Sequence, residues 1–114
     1  MIAVIFEVEP SPGRTDDYLD IAAGLRPMVE DIDGFISIER FQSLVDPEKI
    51  LSLSFWRDED AVQAWRNVAE HRQAQQAGRD GIFSDYRLRI ASVIREYGMH
   101  DRAQAPDDSK ALHD

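Results

Sequence analysis

Cysteine is absent from the 114-residue chain, which excludes disulfides, iron–sulfur clusters, thiolate metal sites and cysteine nucleophiles and fits a reducing compartment. Lysine is scarce as well: Lys49 and Lys110 are the only two, and the other basic residues are arginine. Acidic residues outnumber basic ones by 22 to 13, giving a net charge of −9, so most of the surface repels a polyphosphate backbone. No cluster of about five to eight basic residues offsets that charge, and nucleic acid is not an expected partner. Long apolar runs are missing. The longest, MIAVIF at 1–6, falls far short of the roughly 20 residues a membrane span needs. The same start has no basic leader followed by an apolar stretch and a small-residue cleavage site, so a cytoplasmic setting is expected. Neither G-x-G-x-x-G nor G-x-x-x-x-G-K-[ST] occurs, which leaves nucleotide binding without a phosphate loop.

The residues that are present carry clear periodicities. In IAVIFEVEP, Ile2, Val4, Phe6 and Val8 alternate with Ala3, Ile5, Glu7 and Glu9, the period-2 pattern of a strand, and SPG at 11–13 ends it. Thr15, Asp16 and Asp17 open a helix in which Tyr18, Ile21, Ala22, Leu25, Val29 and Ile32 recur at three- and four-residue spacing. Pro27 lies inside that pattern, with a kink expected near Ala23–Pro27. Two strands, DGFISIERFQS (33–43) and KILSLSFW (49–56), form a hairpin. Residues 57–79 read as one second helix with an acidic first turn, Gly78 at its exit, and Ala61, Val62, Trp65, Val68 and Ala69 on one side. Residues 86–97 alternate as a fourth strand. The tail, 100–114, is polar and acidic with no apolar period, and a loose arm is expected there.

The order βαββαβ predicts an α+β, ferredoxin-like sandwich over residues 1–99, four antiparallel strands with two helices on one face. Both registers of strands one, three and four carry apolar residues, so the face away from the helices needs a cover. A second copy of the same sheet is the simplest one, giving a homodimer. Residues 1–99 resemble the antibiotic biosynthesis monooxygenase family through the N-terminal strand, the GF that opens strand two, and SFWRDEDAVQAW, in which Trp56 ends strand three and Trp65 lies in the helix. That resemblance implies a dimeric α+β barrel with a cavity between each sheet and its own helices. It also implies oxygenation of polyketide-type phenols or anthrones without metal or flavin, the partners being a small aromatic or quinone-like metabolite and dioxygen.

Such chemistry needs a base, polar groups for an oxyanion and a dry apolar cavity. His71 is the expected base and Asn67 the expected oxyanion holder. Substrate contacts are expected from Trp65, as an apolar wall that also packs in the core, from Phe6, and from Arg87, which stands with Arg89 and Arg95 on one side of strand four and suits either an anionic phenolate or carboxylate or subunit ion pairs with the surplus acids. On a straight helix Trp65 and His71 lie about 120° apart, whereas Asn67, His71 and Gln75 form one polar row that suits either a cavity mouth or plain water. Trp56 reads as core. Tyr18 and Tyr97 read as core-edge packing, with hydrogen bonding into a cavity as the alternative. His100 and His113 are expected to take no part, and Asp58, Glu59 and Asp60 are expected to serve the helix start rather than a metal. A related branch of the family degrades haem, which implies an Asn on strand one and an iron-ligating His about ten residues after the helix-two Trp. Here Phe6 and Gln75 stand near those places. Three readings stay open: a cofactor-independent oxygenase, a haem-binding or haem-degrading protein using His71, and a non-catalytic dimeric ligand-binding module.

Overall fold

A computed structural model describes residues 1–114, the side chains at positions 69, 70 and 78 excepted. The elements follow the order β1 (Ile2–Pro10), α1 (Thr15–Glu30), β2 (Phe35–Gln42), β3 (Ile50–Trp56), α2 (Glu59–Arg66), α3 (Ala69–Ala77), β4 (Phe83–Ser92) and α4 (Asp107–His113). The strands form a single antiparallel sheet in the order β2-β3-β1-β4. This is the ferredoxin-like α+β arrangement, with α1 to α3 over one face. Among the described residues no helix is long and apolar enough to cross a membrane.

Strand pairing sorts the side chains into rows. On the helix side, Gln42, Ile50, Val8 and Tyr86 form one row, Arg40, Ser52, Phe6 and Leu88 the next, then Ile38, Ser54, Val4 and Ile90, and finally Phe35, Trp56, Ile2 and Ser92. On the other face lie Phe41, Leu51, Glu7 and Arg87, then Glu39, Leu53, Ile5 and Arg89, then Ser37, Phe55, Ala3 and Ala91. That outer face is apolar at its centre and charged at one end, where Arg89 Nη1 donates to Glu7 Oε2 at 2.9 Å. The guanidinium of Arg89 holds the Glu7 carboxyl below the usual carboxylate range.

Two clusters anchor the helices. Val29 of α1 and Ala61 and Val62 of α2 pack on Trp56, with Trp65 beside them. At the other end Tyr18 of α1 packs with Val8, Ile50 and Ile82. Asp58 caps α2, its carboxylate accepting from the Ala61 amide at 2.9 Å. Gly34, just before β2, has φ +93°, and a Cβ there would stand 2.8 Å from the Ala61 side chain. The turn into β2 therefore requires glycine both for its backbone and for the close approach of α2.

α1 is one 16-residue helix with Pro27 inside it. Three expectations are corrected. The second helix is two: α2 stops at Arg66 and α3 begins at Ala69, with Asn67 between them at φ −92°, ψ 0°. Ala69, expected on the packed side, lies outside the described side chains. β4 ends at Ser92, which pairs with Ile2, although alternation continues to 97; beyond it the Val93 amide donates to Met1 O at 3.0 Å. The tail is partly ordered: α4 is held by Arg102, which donates to Gly98 O at 3.1 Å, Ser109 Oγ at 2.6 Å and Asp114 Oδ1 at 2.9 Å.

Candidate functional site

The two middle rows of the helix-side face form the floor of a cavity of about 330 Å3 enclosed by α1, α2 and α3. Space exists there because β3 contributes Ser52 and Ser54, which are 7% and 5% exposed, where larger residues would fill the gap between sheet and helices. Trp56, next in that alternation, closes one end. Its indole Nε1 donates to Ser54 Oγ at 2.9 Å, which satisfies a buried donor and leaves the ring to the core. The other end is aromatic: Phe6, Tyr18, Phe83 and Tyr86 meet edge to face or tilted, with ring centroids 5.5–6.2 Å apart. Leu88 and Ile90 belong to the lining yet are 48% and 43% exposed, so the cavity opens along the β4 edge.

The break between α2 and α3 makes the site. It redirects the chain so that the His71 ring stacks on Trp65, centroids 4.6 Å and planes 25° apart, and His71 Nδ1 lies 3.0 Å from the Trp65 carbonyl oxygen. A carbonyl only accepts, so Nδ1 carries the hydrogen and Nε2 keeps its lone pair. Burial pushes the imidazole pKa below its ordinary 6.5, the bond to Trp65 opposes that shift, and the charges of Arg72 and Arg66 add to it. His71 is thus neutral near pH 7 and offers one basic nitrogen, in the wall of an apolar cavity.

Of the residues singled out in the sequence, His71, Trp65 and Phe6 share this lining, as does Gln75. Asn67 does not. It is exposed at the end of α2, where its side-chain oxygen accepts from Arg72, because the helix break takes it out of the row it would share with His71 on a continuous helix. Arg87 also lies elsewhere, on the outer face in the row of Glu7 and Leu51, since it alternates with the cavity-facing Tyr86 and Leu88. Sequence reasoning passed over Arg26, Arg40, Arg66 and Arg79, all of which line the cavity. For Arg40 the signal was its shared register with Ile38. For Arg79 there was none short of the turn at Gly78–Ile82, where Gly81 takes φ 137°.

Comparison with known proteins places this architecture. The model of the family described as antibiotic biosynthesis monooxygenase matches residues 1–77. A Pyricularia oryzae protein called jasmonate monooxygenase ABM is 54% identical over 93 residues, 82% of this chain and 43% of that protein, so the chain spans less than half the length of that relative. An uncharacterized Bacillus subtilis protein, YqjZ, is 30% identical over 94 residues, covering 82% of this chain and 80% of that one. Among solved structures, Rv0793 from Mycobacterium tuberculosis superposes with a TM-score of 0.76 at 13% identity, over 85% of this chain and 98% of that one. A candidate antibiotic biosynthesis monooxygenase from Deinococcus radiodurans gives 0.77 at 13% identity, over 86% and 97%. The structures establish the fold; with the family model covering β1 to α3 and both curated relatives covering most of the chain, this protein belongs to the antibiotic biosynthesis monooxygenase family.

Proposed function

We propose that the chain is an oxygenase that takes a small apolar metabolite, aromatic or quinone-like, into the cavity and activates it for dioxygen by removing a proton. The observation that carries this reading is His71: neutral, fixed through Nδ1 to the Trp65 carbonyl, with Nε2 left to accept a proton in an apolar wall. A methylene flanked by carbonyl or aryl groups gives one proton to Nε2. The resulting anion transfers electrons to dioxygen, a carbon–oxygen bond forms, and the peroxide takes up a proton. The second hydrogen of that carbon then leaves as a proton while the oxygen–oxygen bond breaks and hydroxide departs, which together release water and leave a carbonyl. One oxygen atom enters the product and the other leaves as water, with all electrons supplied by the substrate. The family and the name of the Pyricularia relative support an oxygenase acting on a small organic molecule.

The haem-degrading alternative finds less support in the donor set. Gln75, whose amide is a poor iron ligand, occupies the cavity wall at the place where that branch has its imidazole, and Phe6 lies in the floor where that branch has Asn. The homodimer rests on the outer sheet face, where Leu51, Leu53, Phe55 and Ile5 lie together at its centre. The function is tested with an oxygen electrode, offering an anthrone and jasmonate. Dioxygen uptake should occur with at least one of them and fall at least about a hundredfold, the lower end of what a general base contributes, in His71→Ala. Equal uptake by that variant overturns His71 as the base.

A further inference from the structure

In a chain with 22 acidic residues against 13 basic ones, the charge inside the cavity runs the other way. Among the described residues its lining holds Arg26, Arg40, Arg66 and Arg79 and no Asp or Glu. Arg26 is neutralised by Glu30, one helical turn on, at 3.0 Å. Arg40 is different. It is half-buried in the floor, its Nε donates to Tyr18 Oη at 3.2 Å, and its guanidinium lies over the Tyr18 ring, 5.9 Å from the centroid. No carboxylate pairs with it among the described residues. Tyr18 is itself buried, and because its oxygen accepts from Arg40, its own hydrogen remains to donate. Two donors, one permanently charged, thus stand side by side at the aromatic end of an apolar cavity.

We infer that Arg40 and Tyr18 bind the anionic group of the ligand, and that the substrate class is an apolar carboxylate. Arg40 presents Nη1 and Nη2 to the carboxylate while Tyr18 fixes its Nε, so the guanidinium is oriented before the ligand arrives. The apolar body then lies along Val4, Ser52 and Ser54. Arg40 pairs with Ser52, four residues along β3 from Trp56, a span of roughly 13 Å at 3.3 Å per residue. The carboxylate sits at one end of that span, and the distal carbons reach the Trp56 and Trp65 end, where His71 stacks. Arg79, whose Nη1 donates to Tyr86 Oη at 3.2 Å, adds positive potential near the open β4 edge and draws the anion in.

The inference deepens the oxygenase reading and rests on it only in calling the ligand a substrate. Binding is measured by quenching of Trp56 and Trp65 fluorescence on titration with octanoate and with its uncharged isostere octanamide near pH 7.5. Octanoate should bind roughly tenfold or more tightly than octanamide, the scale of one charge-assisted hydrogen-bonded contact. Arg40→Gln should abolish that preference while leaving octanamide affinity in place, and Tyr18→Phe should reduce it. Arg89→Gln, on the outer face, should leave it unchanged. Equal affinity of the wild-type protein for the two probes, absence of binding by either, or a preference that survives Arg40→Gln overturns the inference. An octanoate preference with no dioxygen uptake from any substrate offered would leave the anion site standing and remove the oxygenase reading alone.

Discussion

Trp65 fixes His71 twice, through its ring and through its own backbone: the indole covers one face of the imidazole, and the Trp65 carbonyl oxygen accepts the Nδ1 hydrogen. One residue therefore sets both the tilt of the imidazole and its tautomer, six positions away in sequence.

That arrangement makes stability and activity depend on pH in a defined direction. Burial holds the folded pKa of His71 below 6.5. Above about pH 6.5 the imidazole is neutral in folded and unfolded chains alike, and its contribution is intact. As pH falls through 6.5 the unfolded chain takes up the proton first, so stability is lost until the folded pKa is passed. Thermal melts between about pH 7.5 and 5 should show a smaller loss in His71→Gln than in the wild-type protein, and kcat/KM should rise to a plateau with a midpoint below 6.5.

The two tryptophans should separate on truncation. Trp56 is 1% exposed and central to its cluster, so Trp56→Ala should cost about 3–5 kcal/mol in urea unfolding. Trp65 is partly buried; Trp65→Ala should cost about 1–2 kcal/mol and, by uncovering one face of the His71 ring while the backbone carbonyl still holds Nδ1, should shift the midpoint of the activity profile toward 6.5.

Self-association should follow from the outer face of the sheet. Light scattering at micromolar concentration should give twice the 13.0 kDa chain mass. Leu53→Glu, at the centre of that face and paired with Ile5, should give the single-chain mass with an unchanged far-ultraviolet circular dichroism spectrum, because a carboxylate there opposes burial without disturbing the strand ladder.

Removal of residues 101–114 should lower the melting temperature by less than about 2 °C, less than a 1 kcal/mol loss would produce in a domain of this size. The hydrogen bonds that hold α4, from Arg102 to Gly98, Ser109 and Asp114, stay within the tail and its approach. A larger fall would mean that α4 docks on the domain.

The fold was legible because its signals are local. Alternation along Ile2–Val8 and Ile50–Trp56, and the three- and four-residue spacing from Tyr18 to Val29, each reflect one element packing by one face. What lay beyond that depends on partners. The extent of β4 follows its pairing with β1, not its own pattern. At β2, Phe35 pairs with Trp56 and Ser37 with Phe55, so the register shifts around Ile36 and places Phe35 on the helix side, against a strict alternation. The break at Asn67 has neither proline nor glycine beside it, so a helix of constant pitch placed Trp65 and His71 on different faces and Asn67 in the same row as His71. The structure reverses both. Arg87 was misplaced for a related reason: with apolar residues in both registers of β4, alternation does not reveal which face the helices cover.

Ser52 and Ser54 give the floor of the cavity its depth, and neither is needed to hold His71 or Trp65 in place. The depth of the cavity and the setting of the His71 ring are therefore encoded at separate positions, one on a central strand and the other at a helix junction. Over a lineage, an exchange of Ser52 for alanine, valine or leucine changes the floor by one side chain and with it the molecules admitted, whereas position 54 is constrained by the buried Trp56 indole that donates to it.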